Sequence, residues 1–229
     1  MKQISSDILI VGGGMTGLLT ALALTQTKNN IVIIDKNNID QIPHSYKDIR
    51  TTAISQGSKK FLEKIFFWEK IKNKSQPIKK IKVFDRNANN KINFFNSEKK
   101  DPLGYIVKNT LIKNEIIKTL KTKRNITIFE KEDVRDLFLT NEYAKITTNK
   151  KTIVSKLIIA ADGKFGSLKK ILNTKQITKN YDHAAFVANF NHSKDHKNTA
   201  YEIFYKSGPL AILPMIKTSK NFYSSSLIW

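Results

Sequence analysis

Ile8-Leu9-Ile10-Val11-Gly12-Gly13-Gly14-Met15-Thr16-Gly17 opens the stretch whose reading decides the fold. A strand-type apolar run leads into Gly12-x-Gly14-x-x-Gly17. A helix-like segment follows from Leu18 to Leu24, and a second apolar run, Ile31 to Ile34, ends at Asp35. Together they predict a βαβ unit carrying an acid about 20 residues beyond the glycines. Gly12 permits the tight turn. Gly14 has no Cβ, so a pyrophosphate can approach the backbone, and Gly17 lets the helix pack close to the strand. The helix N-terminus offers unpaired N–H groups and the positive end of its dipole to phosphates. Asp35 can accept hydrogen bonds from both ribose hydroxyls of an adenosine, and its charge disfavours a 2′-phosphate. A lone glycine motif says little, but strand, helix, second strand and acid in register make it specific. The stretch does not read as a membrane span or signal peptide. It is shorter than about 18 apolar residues, is broken by glycines, and has Asp7 at its front edge.

The 229 residues suit one large domain or two small ones, and 40% hydrophobic content supports a true core. With no cysteine, disulfides and thiolate metal sites are excluded, in keeping with a reducing compartment. The formal charge of +21 invites a nucleic-acid reading. The kind of basic residue argues against it. Of 40 basic residues only Arg50, Arg86, Arg124 and Arg135 are arginines, whereas nucleic-acid readers lean on the planar guanidinium fork. The lysines are spread along the chain among many Asn and Ile, a pattern of compositional drift rather than a selected patch. No specific nucleic-acid partner is expected. Attraction to an anionic membrane surface fits better, since each Lys near such a surface contributes about 1 kcal/mol.

Along the chain, Lys36 to Lys47 reads as a loop. Asp48 to Ser55 leads through Gly57-Ser58 into an amphipathic helix over Ser58 to Lys70, with Phe61, Leu62, Ile65 and Phe66 at helical spacing and Pro77 ending the segment. Ile78 to Phe84 and Lys91 to Phe95 read as strands around a turn at Arg86 to Asn90. Gly104 to Lys121 reads as a second amphipathic helix. Ile126 to Phe129 reads as a short strand. Val134 to Leu139, Ala144 to Thr148 and Lys151 to Val154 read as an antiparallel meander, Leu157 to Ala161 as a buried strand ending at Asp162-Gly163, and Ser167 to Leu172 as a helix. Tyr181 to Trp229 is mostly strands. The order predicts an α/β fold: a Rossmann-like nucleotide-binding domain interleaved with a β-sheet-rich domain. The nucleotide-binding parts are placed at 1–75 and 104–174, and the sheet-rich parts at 76–103 and 175–229.

Four segments, in order, carry a family resemblance. They are Gly12-x-Gly14-x-x-Gly17 with Asp35, Asp48-x-Arg50-x-x-Ala53-Ile54-Ser55, Ile158-Ile159-Ala160-Ala161-Asp162-Gly163, and Glu202-x-Phe204 with Gly208-Pro209-Leu210-Ala211-Ile212-Leu213-Pro214. Together they resemble the single-component FAD-dependent aromatic hydroxylases of the p-hydroxybenzoate hydroxylase type. The last segment looks most like the ubiquinone-biosynthesis hydroxylases. The resemblance covers essentially the whole chain.

The resemblance implies an FAD-binding domain in which Gly12, Gly14 and Gly17, with Met15 and Thr16 between them, hold the ADP half of FAD together with Asp35 and Lys36. It places Arg50 on the cofactor. In a chain that uses Lys almost by default, an Arg also suggests a need for the planar fork; the bland alternative is a surface arginine. Asp162 and Gly163 are placed near FAD and the nicotinamide nucleotide, the alternative being a turn or helix N-cap. Two departures stand out. Gly166 and Lys169 occupy positions where relatives carry Ser and Arg. The Gly-Asp motif and Pro-rich turn that cradle the rest of FAD in the family are missing, and Ser226-Leu227-Ile228-Trp229 reads like an interrupted strand. The chain is therefore expected to be a C-terminally incomplete, N-terminal fragment.

By resemblance, NAD(P)H reduces FAD, and one oxygen atom of O₂ then passes to an electron-rich ring of a polyprenylated phenol or quinol. Such a substrate implies work in the cytoplasm at the inner face of a membrane, within a ubiquinone-biosynthesis complex. No catalytic nucleophile is required, and no metal site is expected. His44, His183, His192 and His196 are scattered, and the polar surroundings of His192-x-x-x-His196 suggest a solvated loop. The alternatives are an inactive fragment, another flavoprotein class such as a prenyl reductase, or a non-enzymatic basic binding protein.

Overall fold

The computed structural model describes residues 2–39, 48–86, 90–96, 101–219 and 221–229. The chain enters through β1 (Lys2–Val11), α1 (Met15–Leu24) and β2 (Ile31–Asp35). It continues through β3 (Thr51–Ser55), α2 (Gln56–Lys64), α3 (Trp68–Ile71), a 3₁₀ turn (Lys72–Lys74), β4 (Gln76–Ile78), β5 (Lys80–Asp85), β6 (Asn90–Phe95) and β7 (Gly104–Lys108). Next come α4 (Asn109–Lys121), β8 (Ile126–Glu130), β9 (Val134–Leu139), β10 (Ala144–Thr148), β11 (Lys151–Ala160) and α5 (Ser167–Ile171). The last strands are β12 (Val187–His192), β13 (Thr199–Tyr205), β14 (Gly208–Met215) and β15 (Tyr223–Ile228). Two compact units result: residues 1–47 with 113–180, and residues 48–112 with 181–229.

The first unit is built on a sheet of order β8-β2-β1-β11-β10-β9. Its first four strands are parallel, and β10 and β9 return antiparallel. Ile8–Val11 and Ile31–Ile34 are buried throughout, as strands covered on both faces must be. Leu9, Val11, Val32, Ile34, Ile146 and Ile153 form a core with Leu168 of α5. Ile10 on the opposite face reaches α1, where its Cγ2 lies beside Gly17.

The second unit holds a six-stranded sheet, β12-β15-β14-β13-β5-β6, and a three-stranded one, β3-β7-β4. Only the β13–β5 pair of the larger sheet is parallel. Ala200 and Met215, joined by Ile81 and Leu213, pack one end of that sheet onto Ile78 and Ile106 of the smaller sheet.

Several expectations need correction. Gly104–Lys108 is a strand, not the first turns of a helix, because it pairs with β3 on one side and β4 on the other. A Cβ at Gly104 would lie 2.7 Å from the Ile54 carbonyl oxygen, so that close pairing requires glycine. The helix expected over Ser58 to Lys70 is broken at Phe66, whose φ of 56° takes it into the left-handed region. The Phe67 N–H then closes onto the Leu62 carbonyl, and Phe67 and Trp68 turn inward and are fully buried. β11 is one long strand rather than two, and its end is not buried: Leu157 is 52% exposed. β10 pairs with it only as far as Ser155, so the last residues of β11 lack a neighbour on that side. The compact units change over at 47/48, 112/113 and 180/181, whereas the sequence reading drew its boundaries at 75/76, 103/104 and 174/175. The shift follows from β3 and β7 pairing with each other. The loop reading of Lys36 to Lys47, the turn at Arg86 to Asn90 and His44 fall wholly or partly outside the described residues.

Candidate nucleotide site

In the first unit, Val11 pairs with Ile34 on one side and with Ala160 on the other. The three parallel strands thus end level, and Gly12, Asp35 and Ala161 emerge together at the carboxyl edge of the sheet. Ligands of open α/β sheets bind at that edge. A crevice of about 250 Å³ opens there, lined by Gly12, Gly14, Asp35, Lys36, Asp162 and Gly163 among others. Those six expected residues are therefore brought together. Met15, Thr16 and Gly17 form the first turn of α1. Arg50 belongs to the other unit, where its guanidinium forks onto Asp48 (Nε–Oδ1 2.8 Å, Nη2–Oδ2 2.9 Å) and its side chain is exposed.

The glycines separate by what surrounds them. Gly12 has φ of +114°, and a Cβ there would sit 2.2 Å from the Ala161 carbonyl oxygen. At Gly17 a Cβ would meet the Gly12 carbonyl oxygen at 1.9 Å. Both glycines are demanded by the protein itself. Gly14 is different: its φ is −74°, and no protein atom lies within 4 Å of a Cβ built there. Nothing in the fold requires glycine at that position, which is the pattern expected when the space belongs to a ligand. Gly14 also caps α1 without a side chain, and the first turn carries no acid, so its N–H groups and dipole remain available to an anion.

Asp35 is fixed by two backbone donors: Gly13 N–H gives to Oδ2 and Asn37 N–H to Oδ1, both at 2.7 Å. Each carboxylate oxygen keeps a lone pair for a further donor. Gly13, an unassigned position in the motif reading, thus orients the acid. Its own side is filled by Ile39, whose Cδ1 would lie 2.5 Å from a Cβ. The triple glycine was the available signal.

Asp162 turns back over its own loop. Its Oδ2 accepts the Leu168 N–H at 3.0 Å in the first turn of α5. A Cβ at Gly166 would lie 2.0 Å from the Asp162 Cγ. The Asp162 carboxylate thus occupies the space that a larger residue at position 166 would need. The N-cap of α5 is Gly166, so Asp162 is not the cap residue; it secures the first turn of α5 through Leu168 and still lines the crevice. Gly163 has φ of +79° with open space around it, and Lys169 is exposed on α5.

Glu132, which the sequence reading passed over, is a buried carboxylate in the crevice wall. Its N–H donates to the Asp35 carbonyl at 2.9 Å. Its carboxylate accepts from Lys151 Nζ and, at 2.5 Å, from Thr148 Oγ1. Burial alone would push this carboxyl up, but the Lys151 and Thr148 hydrogen bonds and the Lys151 charge outweigh it and hold it below the usual range.

The histidine reading also changes. His192 ends β12, and the His196 side chain is 9% exposed. His196 Nε2 faces the Met215 carbonyl at 3.2 Å and Nδ1 accepts the Asn198 N–H at 3.1 Å, which requires the neutral ring with its proton on Nε2. Both imidazoles pack against Tyr223. Strand ends, not local polarity, set the surroundings of this half-buried pair. Among the described residues no group of His, Asp or Glu is arranged to hold a metal ion, and no helix is long and apolar enough to cross a membrane.

Residues 5–227 match the family model described as FAD binding domain. Ubiquinone hydroxylase UbiL of Rhodospirillum rubrum is 29% identical over 225 residues, covering 98% of this chain and 51% of the relative. The mitochondrial ubiquinone biosynthesis monooxygenase COQ6 of Danio rerio is also 29% identical, covering 97% of this chain and 49% of the relative. The chain spans about half the length of the curated relatives it matches. Among solved structures, PqsL from Pseudomonas aeruginosa, described as a probable FAD-dependent monooxygenase, superposes with a TM-score of 0.79 at 11% identity, over 98% of this chain and 60% of its own.

Proposed function

This chain belongs to the FAD-binding-domain family, and on that premise we propose that it is the cofactor-holding part of a flavin-dependent monooxygenase acting on a polyprenylated phenol or quinol. The observation that carries the cofactor reading is Gly14: the one motif glycine that the fold leaves unexplained stands at the mouth of the crevice, beside the α1 N-terminus. The residues present fit the ADP half of FAD. Gly12 and Gly17 set the turn. Gly14, Met15 and Thr16 offer backbone N–H groups to the pyrophosphate. Asp35, held by Gly13 and Asn37, is oriented for ribose hydroxyls, and Lys36 adds a positive charge at the rim. Asp162 holds the loop through Gly163 in place by accepting the Leu168 N–H of α5. Arg50 is assigned a phosphate contact, for which it would exchange its fork on Asp48.

FAD, when bound, supplies the redox chemistry that protein side chains lack. The protein binds, orients and excludes water. NAD(P)H is the reductant under this reading and O₂ the oxygen source. The substrate class is drawn from the names of the relatives, ubiquinone hydroxylase and ubiquinone biosynthesis monooxygenase. A prenylated substrate resides in a bilayer, so docking on the cytoplasmic face of an anionic membrane and contact with other ubiquinone-pathway proteins belong to the same proposal. The +21 charge supports the docking.

The test is NAD(P)H-driven oxygen uptake by the FAD-loaded chain, with and without a short-chain polyprenyl phenol. Uptake that rises with the phenol and yields hydroxylated product supports the reading. FAD retention without any phenol-dependent uptake would favour an inactive cofactor-binding chain.

A further inference from the structure

Asp35 is the last residue of β2, and its pairing with Glu130 is the last register pair between β2 and β8. A carboxylate at such an end moves with its backbone, so its aim depends on what fastens the residues around it. Gly13 and Asn37 fix the two carboxylate oxygens. The backbone is fastened by the segment Glu130-Lys131-Glu132.

Both glutamates of that segment reach the stretch that begins at Asp35. Glu130 Oε1 accepts the Ile39 N–H at 2.6 Å. Ile39 is buried, and its side chain fills the space beside Gly13, the residue whose N–H holds the acid. Glu132 gives its own N–H to the Asp35 carbonyl at 2.9 Å. The stretch is thus tied to the segment at Asp35 and again at Ile39.

The Glu132 end of this frame has an anchor of its own. Its side chain is 1% exposed, pairs with Lys151 and accepts from Thr148 Oγ1. Thr148 Oγ1 in turn accepts the N–H groups of Lys150 and Lys151, at 3.1 and 2.9 Å, and so closes the β10–β11 turn. Asp133 is stitched to the same turn: its N–H donates to Asn149 Oδ1 at 2.9 Å, and the Asn149 N–H donates to its carbonyl at 3.1 Å. A buried carboxylate is costly to desolvate, and a plain connection between two strands does not need one. Here the buried charge links a hydrogen-bonded turn to the residue whose N–H holds the Asp35 carbonyl.

We propose that Glu132, with Glu130 beside it, is a positioning residue for nucleotide recognition: it sets the Asp35 carboxylate where the free 2′,3′-diol of an adenosine nucleotide is read. This rests on the reading of the crevice as the ADP site. The effect passes from the Lys151–Glu132 pair through the Glu132 N–H to Asp35, and from Glu130 through Ile39 to Gly13. Hydrogen bonds weaken steeply when their partners are misplaced, and a binding group is only as well placed as the shell that supports it. The consequence is selective. Loosening the frame weakens contacts to the ribose hydroxyls and leaves those of the phosphates at the α1 N-terminus unchanged.

The experiment is calorimetric titration of the flavin-free full chain with ADP and with 2′,3′-dideoxy-ADP, which keeps the base and the phosphates. Wild type is expected to bind ADP about tenfold or more tighter than the dideoxy analogue. E132Q/K151M removes both charges and leaves neither buried alone. It should cut that preference to about threefold or less, while dideoxy-ADP binds within about twofold of wild type. E130A should narrow the preference too, and E130Q, which keeps the acceptor for Ile39, should restore it. In D35A no carboxylate remains to be placed, so adding E132Q/K151M there should change ADP affinity by less than about twofold. A role in stability alone would weaken both nucleotides alike, in D35A as well. That result, or variants that keep the wild-type preference, would overturn the positioning role and leave the ADP reading intact. Wild type that binds neither nucleotide overturns the cofactor reading and this inference with it. Wild type that binds both equally overturns Asp35 as the reader of the diol, and the positioning role falls with it. Unchanged far-ultraviolet circular dichroism checks folding, and E130A against E130Q carries the test if the neutral pair unfolds.

Discussion

The two six-stranded sheets of this chain put their chemistry in different places. In the mostly parallel sheet of the first unit, the central runs Ile8–Val11 and Ile31–Ile34 are apolar throughout, and the polar groups that matter gather at one edge, where β1, β2 and β11 end level. Much of the site is main chain: glycines without side chains, N–H groups of α1, and an aspartate held by backbone donors. In the mostly antiparallel sheet of the second unit, side chains alternate between faces, and the notable features are side-chain clusters, the His192–His196–Tyr223 group and Tyr201 with Lys82 over its ring. A main-chain site tolerates little change in backbone spacing. A side-chain cluster can lose a member and keep its fold. That contrast sets the size of the effects below.

The largest effect is expected at Gly17. Valine there drives carbon into the Gly12 carbonyl and should cost about 3 kcal/mol or more, read as a lowered denaturation midpoint. A near-normal midpoint would show that the turn has slack and would break the contrast.

Next comes Lys151→Met. It leaves the Glu132 carboxylate buried without its cation, at a cost of about 3 kcal/mol near neutral pH. The Glu132 carboxyl is held below its ordinary value in the folded protein. Its stabilising contribution is therefore present in full above the ordinary glutamate pKa and lost as pH falls through the lowered one. In Lys151→Met that acid-side loss should vanish. A variant as stable as wild type at pH 7 would mean the pair is not needed.

A smaller effect is expected in the second unit, where burial pushes the His196 imidazole below its ordinary value; His192 and Lys217 reinforce this, and the Met215 carbonyl and Asp195 oppose it. The neutral ring stabilises fully above about pH 6.5, and that contribution declines as pH falls below it toward the lowered folded value. Acidification should thus loosen the second unit before Glu132 is touched in the first. His196→Gln should cost about 1 kcal/mol and remove the slope just below pH 6.5. Two-dimensional NMR of the Tyr223 and Phe129 environments against pH separates the units. Simultaneous change in both would show that the units respond as one.

The same contrast explains which parts of the fold could be read from sequence. Ile8 to Asp35 was legible because buried parallel strands are continuous apolar runs and the glycine spacing is a main-chain requirement. Gly104–Lys108 was not: Tyr105, Ile106 and Val107 run into the helical apolar spacing of Leu111, Ile112 and Ile116, and only pairing with β3 and β4 makes them a strand. The break at Phe66 hid in an aromatic run that satisfies helical spacing. His196 looked solvated because its sequence neighbours are polar, but Met215 and Tyr223, distant in sequence, enclose it. At the crevice, Gly12, Gly14 and Asp35 follow from the motif spacing, while Lys36, Asp162 and Gly163 came with the family resemblance. Glu132 and the orienting role of Gly13 required the register of the strands.

The central claim is that Gly14 is kept open for a ligand rather than for the fold, and Gly14→Val tests it most directly. Wild type and variant are saturated with FAD and freed of unbound cofactor by gel filtration. Bound flavin absorbance is then measured beside the thermal midpoint. The account predicts that wild type retains flavin with a perturbed spectrum, while Gly14→Val keeps a stability within about 1 kcal/mol of wild type, read from the midpoint, and loses the flavin. Equal flavin in both proteins, or a variant that unfolds, would contradict it.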